Sequence, residues 1–110
     1  RLVGISAFRP FPARALREAL GSCRSIVVID RALELGSQGV FTSSVGTALA
    51  GTRSRLHSVV AGLGGRPILE ASLQDVVRRA VSGNLGALEF LDLKQGGVPA
   101  PPVGATEVAR

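Results

Sequence analysis

At 110 residues, with 45% hydrophobic and 19% charged side chains, the chain has the length of one globular domain and is too apolar to be disordered. Its net charge of +5 comes almost wholly from arginine, with Lys94 the only lysine, and the basic positions are scattered and often beside acids, as in Arg17-Glu18 and Asp30-Arg31. There is no clustered basic stripe of the nucleic-acid-binding kind and no apolar run of membrane-spanning length, and the lone Cys23 excludes an internal disulfide and suits a reducing compartment, the cytoplasm.

Residues 2–6 form a short apolar run broken by Gly4 and read as a strand. A core strand starting almost at the first residue, Arg1, leads us to expect a piece of a longer polypeptide. The prolines at 10 and 12 fix φ and restrict the residues before them, so Phe8-Arg9-Pro10-Phe11-Pro12 is an extended turn with Pro12 suited to a first helical position. A helix follows, with Leu16, Ala19 and Leu20 on one face, Arg14 and Glu18 spaced i,i+4, and Gly21 as its stop. Ser25–Asp30, with four consecutive β-branched residues closed by a carboxylate, reads as a strand buried on both faces and hence as the middle of a parallel sheet.

A polar, glycine-punctuated loop over 31–39 leads into a second helix with Phe41, Val45, Ala48 and Leu49 on one face, ended by Gly51. Residues 56–61 read as the next strand, with Val59 and Val60 in the core, and the glycine-rich loop 62–67 follows it. The spacing of Leu73, Val76, Val77, Ala80 and Val81 predicts an amphipathic third helix, opened by a Ser72/Asp75 capping box with an Ala71/Val76 staple and closed at Gly83. Arg78 and Arg79 suit its C-terminal end. Residues 87–93 read as a last edge strand, and the Pro- and Gly-rich stretch 95–110 as a flexible tail or linker after a 1–94 domain.

Ligands and partners of an open parallel sheet gather at the carboxyl ends of its strands, here the loops 6–12, 30–39 and 62–67. The third loop does not run directly into a helix and carries no phosphate-binding glycine motif, so a partner-facing turn is the better reading. Asp30 with Arg31 has the makings of an acid, base or anion clamp, but an exposed ion pair that orders the next loop is the plainer expectation. His57, the only histidine, has no companions for a metal site or a triad and reads as a structural, partly buried side chain. Cys23 reads as a packing residue, and Arg9, between two phenylalanines, either stacks on a ring or reaches a neighbouring domain. The residues offer no catalytic and no metal-binding set.

Four motifs in order resemble one family: Arg9-Pro10-Phe11-Pro12, then residues 26–31 ending in Val-Ile-Asp-Arg, then the 36–39 glycine loop before a helix, then Gly62-Leu63-Gly64-Gly65-Arg66. Over residues 2–94 the chain resembles the C-terminal domain of the alpha subunit of pyruvate:ferredoxin oxidoreductase, a transketolase C-terminal-like domain. The Gly-Leu-Gly-Gly-Arg turn favours the ferredoxin-linked group over transketolase and the 2-oxoacid dehydrogenases. It also favours pyruvate among 2-oxoacids.

The resemblance implies a three-layer α/β/α domain with a mostly parallel sheet, preceded in the family by a strand and helix that this sequence lacks. It implies a role in oxidative decarboxylation of pyruvate to acetyl-CoA, with coenzyme A as co-substrate and ferredoxin or flavodoxin as electron acceptor. Thiamine diphosphate, Mg2+ and [4Fe-4S] clusters belong, by the same resemblance, to other domains and subunits. The chain's own part is then structural, packing against those domains, with Arg9, Phe11, Asp30, Arg31, Gly62, Gly64, Gly65 and Arg66 as candidate interface residues. The alternatives are the related domain of a transketolase-like or dehydrogenase enzyme, and a basic nucleic-acid-binding module.

Overall fold

The structure is a computed structural model that describes residues 1–34, 36 and 38–92. The expected tail over 95–110 therefore lies outside the described residues. In chain order the elements are α1 (Ala13–Leu20), β1 (Ser25–Asp30), α2 (Val40–Ala48), β2 (Arg55–Val60), a short 3-10 turn (Leu63–Gly65), α3 (Glu70–Ser82) and β3 (Leu88–Phe90).

The three strands form one parallel sheet in the order β1-β2-β3, with Ser25 opposite Arg55 and Ser58 opposite Leu88. Side chains alternate across it. Ile26 and Val28 of β1 meet Leu16 of α1 and Val45 and Leu49 of α2, while Val27 and Val59 meet Val76 of α3 and Leu85. Two half-cores thus lie on opposite faces, α1 and α2 over one and α3 over the other, which makes the expected three-layer α/β/α domain. The middle strand is the most enclosed, with Ser58, Val59 and Val60 all at most 1% exposed.

Several expectations need correction. β1 is an edge strand of the described sheet and β2 is its centre. A run of β-branched residues reports that helices cover both faces, whereas a strand's position depends on whether both edges are hydrogen-bonded, which side-chain patterning does not encode. Residues 2–6 are not in a strand. The third helix starts at Glu70 rather than after Ser72, with Leu69 as its cap residue and no side-chain cap. Ser72 Oγ instead donates to Asp92 Oδ1 at 2.9 Å, and the Asp75 carboxylate takes Arg78 and Arg79, so neither half of the capping box is free to cap. Of the five expected core positions on that helix only Val76 is fully buried, while Val77 and Val81 are exposed.

Candidate functional site

Asp30 ends β1 and turns inward. It is 4% exposed, and its Oδ2 accepts the backbone N–H of Phe41 in the first turn of α2 at 2.6 Å. A carboxylate at that helix end satisfies a donor that has no partner within the helix and lies at the positive end of the dipole. Gly39, just before α2, lies so close that a Cβ there would sit 2.5 Å from Asp30 Oδ2 and 2.8 Å from Asp30 Cβ. Its φ of −56° is ordinary, so contact and not conformation demands glycine here. The Gly39 N–H donates to Ser58 Oγ at 3.1 Å, and Thr42 Oγ1 bonds the same oxygen at 2.9 Å. The buried side chains of Asp30, Thr42 and Ser58, with the buried backbone of Gly39, thus lock α2 to both β1 and β2. The exposed Asp30–Arg31 ion pair does not form, because the carboxylate is committed to the helix while Arg31 stays at the surface.

Above this lock lies an aromatic group. Phe8 packs edge-on against Phe41 at 4.9 Å between ring centroids and against Phe11 at 6.0 Å. The Arg9 guanidinium stacks over Phe8 at 5.0 Å, which is the stacking alternative of the two expected for it. Phe11 is half-buried against the first half-core. Arg9 and Phe11 therefore join Asp30 around the start of α2, through Phe8 and Phe41.

The glycine turn forms a second group. Gly62, Gly64 and Gly65 have φ of 73°, 66° and 75°, a left-handed conformation that side chains disfavour. A Cβ on Gly62 would also stand 3.3 Å from Arg31 Nε, so Arg31 and this turn are neighbours. Arg66 donates to the backbone carbonyl of Asp92 at 3.0 Å, tying the turn to the end of β3. Sequence reasoning missed Asp92 and the Thr42–Ser58 pair, since no spacing signal links residues 16 or 26 positions apart.

On the opposite face, Arg79 joins Asp75 at 2.8 Å and Glu89 at 2.6 Å. Burial pushes the Glu89 carboxyl up, but the Gly86 N–H and Arg79 outweigh that and hold it below its usual value. Bonding to Glu89 raises Arg79. His57 is buried, as expected, with Nδ1 2.9 Å from the Gly86 carbonyl, and Cys23 packs against the first half-core.

The donor set does not fit an iron-sulfur cluster, which needs four ligands where the sequence has a single cysteine. Among the described residues no three His, Cys, Asp or Glu side chains gather as for a metal ion. No helix among those residues is long and apolar enough to cross a membrane.

Residues 2–76 match the family model for pyruvate:ferredoxin oxidoreductase core domain II. The chain is similar to pyruvate synthase subunit PorA of Thermotoga maritima, at 39% identity over 92 residues, which is 80% of this chain and 24% of that protein. It is also similar to pyruvate synthase subunit PorA of Methanothermobacter thermautotrophicus, at 29% identity over 79 residues, 71% of this chain and 20% of that protein. The chain thus spans a quarter or less of the length of these curated relatives. The match spans all four motifs, Arg9 to Pro12, Ile26 to Arg31, residues 36–39 and Gly62 to Arg66, and the chain belongs to the pyruvate:ferredoxin oxidoreductase core domain II family.

Proposed function

We propose that the chain is a non-catalytic assembly domain of a pyruvate:ferredoxin oxidoreductase working in the cytoplasm. The observation that carries this reading is the family match over residues 2–76, supported by relatives named as subunits of pyruvate synthase. In this reading thiamine diphosphate, Mg2+ and [4Fe-4S] clusters are held by other domains and subunits, and coenzyme A and ferredoxin or flavodoxin are partners of the whole enzyme. The domain spans 1–94, with 95–110 as a linker or tail.

The contact surface we propose is the rim at the carboxyl ends of the strands. Arg9, Arg31 and Arg66 are all exposed there, with Arg9 held over the Phe8 ring and Arg66 bonded to the Asp92 carbonyl. Arginines presented on an ordered frame lose little freedom on binding, and their planar fork suits carboxylates of a neighbouring domain. Phe11, Asp30 and Gly62 support that rim from beneath, and Gly64 and Gly65 are exposed on it.

The test is Arg66→Ala in the parent enzyme, read by native mass spectrometry and by pyruvate-dependent ferredoxin reduction. Assembly should weaken while turnover per assembled complex stays the same, and the wild-type complex should carry iron and thiamine diphosphate. Unchanged assembly would remove Arg66 from the interface, and a parent complex without iron would overturn the oxidoreductase reading itself.

A further inference from the structure

The end of the sheet at which the strands begin is basic. Each helix runs back against the parallel strands, so the connections over 21–24, 49–54 and 83–87 all fall at that end, opposite the arginine rim. The first two of these connections are tied together. Ser54 Oγ donates to the Cys23 carbonyl at 2.6 Å, and the Arg55 N–H donates to the Arg24 carbonyl at 2.9 Å. Arg24, Arg53 and Arg55 are exposed on this joined backbone, whereas Thr52, Ser54 and Leu56 between and beside them are partly buried. The Arg17 guanidinium lies at the same end, donating to the Ala48 and Ala50 carbonyls where α2 stops.

Among the described residues none of these four arginines has a carboxylate partner. Glu18 is held by Arg14, and Asp75 and Glu89 are held by Arg78 and Arg79. The other acids among those residues, Asp30, Glu34, Glu70 and Asp92, stand at or after the carboxyl ends of the strands, on the far side of the sheet. Arg24 and Arg55 meet across neighbouring strands, with backbones about 5 Å apart, and Arg53 lies at most about 7 Å from Arg55 along the chain. Like charges at such spacing repel, and no acid among the described residues offsets them. The sequence scatters these arginines over 17–55, and the strand ladder gathers them.

We propose that this end is a second docking surface, on which Arg24, Arg53 and Arg55 receive clustered carboxylates from the rest of the assembled enzyme. This rests on the assembly role proposed above and adds a face opposite the arginine rim. A guanidinium holds a carboxylate through two parallel N–H donors, so three of them on tied backbone give the contact a geometry as well as a charge. Nucleic acid suits the surface less well. Phe8, Phe11 and Phe41 gather around the start of α2 and Phe90 closes β3, so none of the four phenylalanines stands at the basic end for a base to stack on.

Carbodiimide coupling in the parent enzyme tests it, because the reagent joins an amine only to a carboxylate in contact with it. Arg53→Lys and Arg55→Lys each place an amine at this end of a chain whose only lysine is Lys94, and both changes keep the positive charge. Arg14→Lys, beside Glu18, is the control for the chemistry. The peptide holding position 53 or 55 should be recovered by mass spectrometry linked to an Asp or Glu outside this domain. A link at position 14 with none at 53 or 55 would overturn the proposal, as would links from 53 or 55 to this domain's own acids alone. Nucleic acid that co-purifies with the parent enzyme and is lost on Arg53→Gln with Arg55→Gln would also overturn it, in favour of a phosphate partner. Iron content of the same preparation reports on the oxidoreductase reading separately, so the two can fail independently.

Discussion

Gly39 is the residue whose replacement is most informative. Its backbone angles suit any amino acid, yet the space a methyl group would need belongs to the Asp30 carboxylate. Gly39→Ala should destabilise the chain by about 1 to 3 kcal/mol by overpacking. Asp30→Ala should cost about 1.5 to 3 kcal/mol, the usual range for a hydrogen bond to a charged group. The two losses should not add. Removing the carboxylate relieves the contacts at Oδ2 and Cγ but leaves the Cβ of residue 30 at 2.8 Å, so the double variant should fall short of the sum by about 0.5 kcal/mol or more in urea unfolding. Strict additivity would show that the glycine serves some other contact. Nothing in the sequence around Asp30 announces this, because Asp-Arg at a strand end looks the same whether the acid meets its neighbour or a helix start 11 residues on.

Helices and strands were more legible than their edges and caps. The α1 boundaries follow from Pro12, the apolar spacing and Gly21, and β2 from Val59 and Val60, since these signals act within a few residues. The Ser72 cap failed because Asp92, 20 residues away, competes for its hydroxyl. The assignment of β1 as central failed because faces and edges are separate properties. In the candidate interface, the glycine-rich turn was readable from composition, whereas the Arg31 approach to Gly62 was not. For α1, the buried Leu16, at 3% exposure, and not the exposed Arg14–Glu18 pair should carry the packing. Leu16→Ala should cost about 2 to 5 kcal/mol, and Glu18→Ala less than about 0.5 kcal/mol. Thermal or urea unfolding of the two variants checks the contrast, and similar losses would refute it.

For the molecule as a whole, acid stability should depend on one link between α3 and β3. The folded Glu89 carboxyl titrates below its ordinary value of 4.5, so near that pH the unfolded chain binds more protons than the folded one. The contribution of Glu89 is therefore complete above about pH 4.5 and is lost as pH falls through the lower folded value. Urea midpoints measured from pH 7 to pH 3 should fall more steeply for the native chain than for Glu89→Gln, and parallel curves would show that the link does not act this way.

The strand order also bears on how the domain is made. Because β1, β2 and β3 are neighbours in the same order in which they occur along the chain, β2 and β3 each find a partner already synthesised on leaving the ribosome. Among the described strands none must wait for a later segment to be inserted between two earlier ones. The sheet can therefore grow vectorially, one strand and one helix at a time, at the pace of translation.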